Sequence, residues 1–145
     1  MTVHERRADR AAFLALCGLG GSRALGFITA TYTLLLVFAT HYPKPEHFLG
    51  THAFYDKVLH FAAYFLLASL AAATLAECRR WGGRGVLALA WSLAAFAAID
   101  EITQPLFGRS AEGLDWVFDC MGIAVGILAV AVAVAVRLWW RPTHQ

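Results

Sequence analysis

Five of the ten carboxylates in this chain fall between Ala97 and Asp119, in the stretch AAIDEITQPLFGRSAEGLDWVFD. Asp100, Glu101, Asp115 and Asp119 can each accept a proton, ligate a cation or hold a hydrogen-bond donor, and Arg109 between them supplies a guanidinium. A second polar set stands upstream in DKVLHFAAY, where Lys57, His60 and Tyr64 add an ammonium, an imidazole and a phenol. Carboxylates beside an imidazole can perform general acid–base chemistry, and an ammonium with a guanidinium can stabilise a developing anion. The charge count narrows what such a group would accept. Four carboxylates against Lys57 and Arg109 leave a net charge of −2 with His60 neutral. Brought together, these carboxylates titrate as a coupled set rather than all remaining ionised. A proton, a protonated His60, a divalent cation or a cationic ligand group would meet the excess, whereas a phosphate would need a bridging cation.

Spacing then asks for helices. Lys57, His60 and Tyr64 lie at i, i+3 and i+7, on one helical face. Glu101 and Gln104 are three apart, and Asp100 and Gln104 four apart. Asp100 and Glu101 diverge by about 100° around a helix and are expected to have different partners. Asp115, Asp119, Gly122 and Gly126 form one stripe, acidic at one end and with small-residue spacing at the other, which suits close helix packing and the interior of a bundle. Each residue alone has a plainer reading. Lys57 fits a lysine snorkelling to an interface, His60 a hydrogen-bonded interior residue, and Asp115 a cap or flank of a helix start. Asp100 with Arg109 fits a structural ion pair, and Gly122 and Gly126 fit packing. The gathering of all of them at one depth is what favours a polar pocket, because a charge near the centre of a spanning helix costs about 2.5–3.5 kcal/mol.

The elements that must position these groups are apolar. Hydrophobic residues make up 59% of the 145 positions and charged residues only 15%. Four continuous apolar segments, Ala24–Tyr42, Val58–Ala76, Gly85–Gln104 and Asp115–Leu138, are each near the length of about 20 residues that crosses a bilayer as a helix. The runs are too long and too rich in Ala and Leu for strands. The expectation is an all-α, integral membrane four-helix bundle of one domain, residues 24–140, preceded by an N-terminal arm of residues 1–23 at the interface and followed by a tail, 141–145. Pro105 is expected to end the third helix, with Gly108 and Gly113 turning the chain. The connection HYPKPEHFLGTHAFYDK is expected to be irregular. Arg6, Arg7, Arg10, Arg23, Arg79, Arg80, Arg84, Arg137 and Arg141 would lie on one side of the membrane, and Lys44, Lys57 and Arg109 on the other. That asymmetry predicts both termini in the cytoplasm and the acidic cluster facing outward, with Trp81, Trp139 and Trp140 as an inner aromatic belt. Cys17, Cys78 and Cys120 imply no disulfide framework.

These residues in this order resemble the VanZ-like family. DKVLHFAAYFLLASLAA (Asp56–Ala72) is similar to the family's D-K-x-x-H-F-x-x-Y helix. AIDEITQPLFGRSAEGLDWVFDCMGIAVG (Ala98–Gly126) is similar to its I-D-E-x-x-Q…G-R…D-x-x-x-N-x-x-G helix pair. The resemblance covers residues 28–137. Asp119 departs from it, standing where the family usually has asparagine and adding a carboxylate. The resemblance implies a small multi-pass protein of the bacterial cytoplasmic membrane with a role in the cell envelope, in a family linked to low-level antibiotic resistance against the lipoglycopeptide teicoplanin.

Three functions are expected to compete. The first is binding of a lipid-linked or amphipathic ligand at the outer leaflet. The second is a membrane-embedded hydrolase or transferase with Glu101 or an aspartate as base, His60 as acid or ligand, and Lys57 with Arg109 stabilising an anion. The third is a structural partner of another membrane protein or of a second copy. Enzyme status and cofactor stay open at this point, a divalent cation included. No nucleophile elbow, H-E-x-x-H or phosphate-cradling glycine loop is present. A net charge of +2 gives nucleic acid no foothold.

Overall fold

The computed structural model describes the backbone of residues 3–42, 53–109 and 111–140, and the side chains of residues 21–42, 55–109 and 111–140. These residues are all-helical: α1 (Val3–His41), α2 (Ala53–Glu77), α3 (Gly83–Thr103), a short 3-10 turn (Gln104–Phe107) and α4 (Gly113–Trp139). Four stretches are long and apolar enough to cross a membrane: Gly21–His41, Tyr55–Glu77, Gly83–Phe107 and Gly113–Trp139. They coincide with the four segments read from hydropathy, because an unbroken Ala-, Leu- and Val-rich run leaves the helix as the one local structure that pairs its own backbone. Residues 3–20, expected as an arm at the interface, carry α1 backward from its apolar span without a break. Gly18, Gly20 and Gly21 do not interrupt it, although each lowers helix propensity by about 1 kcal/mol against alanine. Of the connection expected to be irregular, residues 41–57, His41 still belongs to α1 and Ala53–Lys57 already belong to α2, while residues 43–52, like the tail, 141–145, lie outside the described residues.

The centre of the bundle is the pair α2 and α4, which run parallel. A Cβ on Gly126 would lie 2.6 Å from the Phe65 carbonyl oxygen, and one on Gly122 would strike the Phe61 carbonyl. The two backbones therefore approach to a distance that only glycine admits, as the small-residue stripe predicts. α1 lies antiparallel on α2, with the Tyr32 hydroxyl donating to the Ala63 carbonyl at 3.1 Å and the Thr29 and Thr74 hydroxyls 3.1 Å apart. α3 lies antiparallel to α4, tied by the Trp116 indole N–H to the Ala94 carbonyl at 3.1 Å. Tyr64, Leu67, Ala68, Ala72, Ala97 and Ile123 are buried between the helices. Phe27, Leu34, Leu59, Trp91, Ile102 and Leu128 point outward, all exposed. An apolar perimeter of this extent suits acyl chains and not water.

The connections decide which ends meet. α2 closes with Arg79 at φ 58 and the Arg80 N–H bonded back to the Leu75 carbonyl, a left-handed cap that reverses the chain toward α3. α3 stops before Pro105, whose missing N–H cannot extend the ladder, and Gly108 at φ 77 completes the turn. Gly113, expected to share in that turn, is instead the first residue of α4. The C-terminal ends of α1 and α3 and the N-terminal ends of α2 and α4 consequently meet at one end of the bundle.

Candidate functional site

That end is where the polar residues collect. On the α2 side of the seam, Lys57 Nζ donates to Glu112 Oε2 at 2.9 Å and lies 3.4 Å from Asp115 Oδ1. One turn deeper, His60 Nδ1 stands 3.1 Å from Asp119 Oδ1, while its Nε2 lies 4.0 Å from Asp115 Oδ2. A further turn down, the Tyr64 hydroxyl donates to Asp100 Oδ2 at 3.1 Å. The i, i+3, i+7 face of α2 thus meets the acidic stripe of α4 first and α3 last. His60, Tyr64, Asp100, Glu101, Gln104, Asp115 and Asp119 are all buried, so the His60 and Tyr64 contacts form away from solvent, whereas the Lys57–Glu112 pair is exposed.

Asp100 and Glu101 diverge as helical geometry requires. Asp100 accepts from Tyr64 and, at 2.8 Å, from the Thr40 hydroxyl of α1, and His41 Nδ1 lies 3.5 Å from the same oxygen. Glu101 turns the other way. Its Oε1 accepts the backbone N–H of Glu112, and its Oε2 accepts Gln104 Nε2 at 3.1 Å. Glu101 thereby fastens the end of α3 to the residue that precedes α4, and Gln104 pairs with Glu101 and not with the Asp100 side chain. Among the described residues, three buried polar atoms are left without a hydrogen-bond partner: Gln104 Oε1, Arg109 Nε and Asp119 Oδ2. Buried polar atoms are nearly always satisfied, so three orphans in one cluster point to a place where something else is accommodated.

One single-residue reading changes and one is narrowed. Arg109 makes no ion pair with Asp100; its Nη1 donates to the Thr40 carbonyl at 2.7 Å, capping the end of α1 while the Thr40 hydroxyl occupies Asp100. Of the two roles expected of Asp115, cap or flank of the helix start, it has the second: the residue at the cap position is Glu112, whose side chain goes to Lys57, and Asp115 sits buried in the first turn, where a carboxylate is favoured by the helix dipole. Gly122 and Gly126 have the packing role expected of them.

Four participants were missed in the sequence. Glu112 falls inside the acidic stretch and lies 11 residues from Glu101, but nothing in helical periodicity placed it opposite Lys57. Asp56 precedes His60 by one turn, a spacing that was available. Its carboxylate, a His60 nitrogen and an Asp115 oxygen come within 4.8 Å of one another. Thr40 and His41, at the end of α1, carry no motif.

Beside this cluster an apolar groove of about 610 Å³ opens between α1 and α3. Phe38, Phe96, Leu106 and Phe107 line it, and Asp100, His41 and Thr103 stand on it as its polar members. His41 Nε2 lies 2.8 Å from the Thr103 hydroxyl, and its ring meets Phe107 edge-on at 4.8 Å. Chemically, the end of the bundle can share protons among carboxylates, hold a cation, or bind a hydrogen-bonding head group whose apolar part lies in the groove. Anion stabilisation is less well served at Lys57, which two carboxylates engage, whereas Arg109 gives one Nη to a carbonyl and leaves its Nε unpaired. Searches against protein-family profiles, curated proteins and solved structures returned no match, so the resemblance to the VanZ-like family rests on the two motif stretches themselves.

Proposed function

We propose that this is a VanZ-like, multi-pass protein of the bacterial cytoplasmic membrane, with both termini in the cytoplasm, whose polar end faces outward and binds a lipid-linked or amphipathic envelope ligand. The observation that carries the reading is the juxtaposition of the apolar groove between α1 and α3 with Asp100, His41 and Thr103 at its edge. Ligand sites combine apolar walls with a few fixed polar groups, and here the polar groups are held by a buried network that orders them before any ligand arrives. The charge asymmetry of the loops supports the outward orientation. The hydrolase or transferase reading is second, because Lys57, one of the two cations it would use, is already committed to Glu112 and Asp115.

Native mass spectrometry of the full chain in mild detergent tests the ligand. A lipid adduct is expected that Phe38→Ala and Leu106→Ala, which open the groove wall, weaken without altering helicity. The absence of any adduct under conditions that retain added lipid on other membrane proteins would remove the reading. Orientation is tested separately with single cysteines in a cysteine-free background. Ala111→Cys should react with an impermeant thiol reagent in intact cells, and Arg80→Cys should not.

A further inference from the structure

The end of the bundle away from the acidic cluster differs from it in both charge and shape. Glu77 is the one carboxylate there among the described residues, and Arg137 holds it at 3.0 Å. Arg79, Arg80 and Arg84 stand exposed in the turn between α2 and α3 and just after it. The turn fixes them. The Arg80 N–H is bonded to the Leu75 carbonyl at 3.1 Å. A Cβ on Gly85 would lie 2.5 Å from the Arg80 carbonyl oxygen, so the Arg80 backbone rests on the first turn of α3. Arg79 occupies a left-handed position, φ 58, that favours glycine, in a turn that has glycines close by at 82, 83 and 85. The chain keeps a guanidinium where glycine would be easier to place.

Beside this turn an apolar groove of about 540 Å³ opens between α3 and α4. Trp81 lines it from the turn, Gly83, Leu87 and Ala90 from α3, and Ala124 and Ala131 from α4. Glycine and alanine at these positions leave the space that larger side chains would fill. From residue 83 to residue 90 the groove follows α3 for about 10 Å. An apolar groove that begins at a cluster of arginines suits a ligand with an acyl chain and an anionic head group, as basic pockets between spanning helices do. Trp81, partly buried, stands at the boundary between the two, where an indole is favoured. A zwitterionic lipid would fill the groove equally well and leave the arginines without a counter-charge. Two copies of this chain packed groove to groove in one membrane would bring their arginine turns to the same level, like charge against like.

We propose that the groove between α3 and α4 binds one anionic phospholipid, its acyl chain along residues 83–90 and its phosphate among Arg79, Arg80 and Arg84. The site lies at the opposite end from the groove between α1 and α3, takes its own class of lipid, and does not depend on the reading given above for that groove.

The test is a titration of the delipidated, full-length chain in detergent with dioleoylphosphatidylglycerol and, separately, dioleoylphosphatidylcholine, read by native mass spectrometry. One phosphatidylglycerol per chain is expected, with a Kd at least about tenfold below that of phosphatidylcholine. Arg80→Gln and Arg84→Gln should each raise the phosphatidylglycerol Kd about fivefold, the equivalent of about 1 kcal/mol per basic residue, and leave phosphatidylcholine unchanged. Ala124 is exposed, and a Cβ on Gly83 meets nothing within 4 Å, so Ala124→Leu and Gly83→Leu fill the groove without crowding the core. Each should raise the phosphatidylglycerol Kd about tenfold, the effect of keeping roughly two methylenes from burial, while the melting curve stays that of the native chain. Equal affinity for the two lipids would overturn the proposal. So would phosphatidylglycerol binding that neither leucine variant weakens, which would mark adsorption to a basic surface. A lipid-free dimer that Ala124→Leu dissociates would give the groove to a second copy and overturn it as well. Phe38→Ala, in the groove between α1 and α3, is expected to leave phosphatidylglycerol affinity unchanged, so failure here and failure of the earlier reading are separate results.

Discussion

The α2–α4 seam is built in two ways along its length. In its lower half Gly122 and Gly126 lie against the backbone of Phe61 and Phe65, and the charged pair that crosses it, Arg137 with Glu77, is confined to the exposed far end. In its upper half the same two helices face each other through Lys57, His60, Asp115 and Asp119, with one buried carboxylate oxygen left unmatched. Close backbone contact accounts fully for the lower half. Burying charges is not a route to stability, since desolvation offsets much of the attraction, and well-packed apolar residues commonly do as well or better. The polar half is therefore the part that packing alone does not explain, and the part where a ligand belongs.

The contrast can be broken from its apolar side first, where the largest effect is expected. Gly122→Val puts a branched side chain where a single Cβ already meets the Phe61 carbonyl and the Phe65 amide nitrogen. Backbone cannot yield as a side-chain tip does, so a loss of about 3 kcal/mol or more is expected. It would be read as a collapse of the monodisperse peak in detergent size-exclusion and of the thermal transition. A variant that melts like the native chain would mean that the helices are further apart than described.

Tyr64→Phe probes the junction of the two halves. It removes one of the two side-chain hydroxyls that hold Asp100, leaving Thr40. A hydrogen bond to a charged acceptor contributes about 1.5–3 kcal/mol, and a fall of that size in the detergent unfolding free energy is expected. No change would show that Asp100 is satisfied in another way.

Glu101→Gln sharpens the comparison by separating function from stability. The amide keeps an acceptor for the Glu112 N–H, and a rotated Gln104 can present its orphaned Oε1 to the new NH₂. Stability is expected to stay within about 1 kcal/mol, the worth of a single neutral hydrogen bond. Complementation of a deletion strain under envelope stress is expected to be lost, while lipid adducts held in the α1–α3 groove, which Glu101 does not line, are kept. Full complementation by a stable Glu101→Gln protein would reduce the network to a clamp between α3 and α4.

The smallest effect is expected at the opposite end. Arg137 pairs with Glu77 at 3.0 Å across α2 and α4, with the two side chains 71% and 37% exposed. Exposed pairs contribute about 0–1 kcal/mol, so Arg137→Ala should move the melting temperature little. A large shift would show that this end is more enclosed than its exposure indicates.

How much of this was legible depends on the distance over which the controlling physics acts. The four spans, the stop before Pro105, the gathering of Lys57, His60 and Tyr64 on one face and the interior direction of Asp115, Asp119, Gly122 and Gly126 all follow from local rules. Those rules are continuous hydropathy, the missing proline N–H and the 3.6-residue period, each of which the sequence alone determines. The divergence of Asp100 from Glu101 was legible for the same reason.

Partner choice was not legible. Arg109 on Thr40, Glu112 between Lys57 and Glu101, and Asp56 beside His60 and Asp115 depend on how far one helix slides along another and how it is rotated. That offset is set where the α2 and α4 backbones touch at Gly122 and Gly126, two to three turns below the polar end. A shift of one residue along a helix moves a side chain by about 1.5 Å and turns it by about 100°, enough to exchange one partner for another. The stripes on each helix were therefore the work of the sequence, and only the packed structure decided which polar group on one stripe met which group on the next.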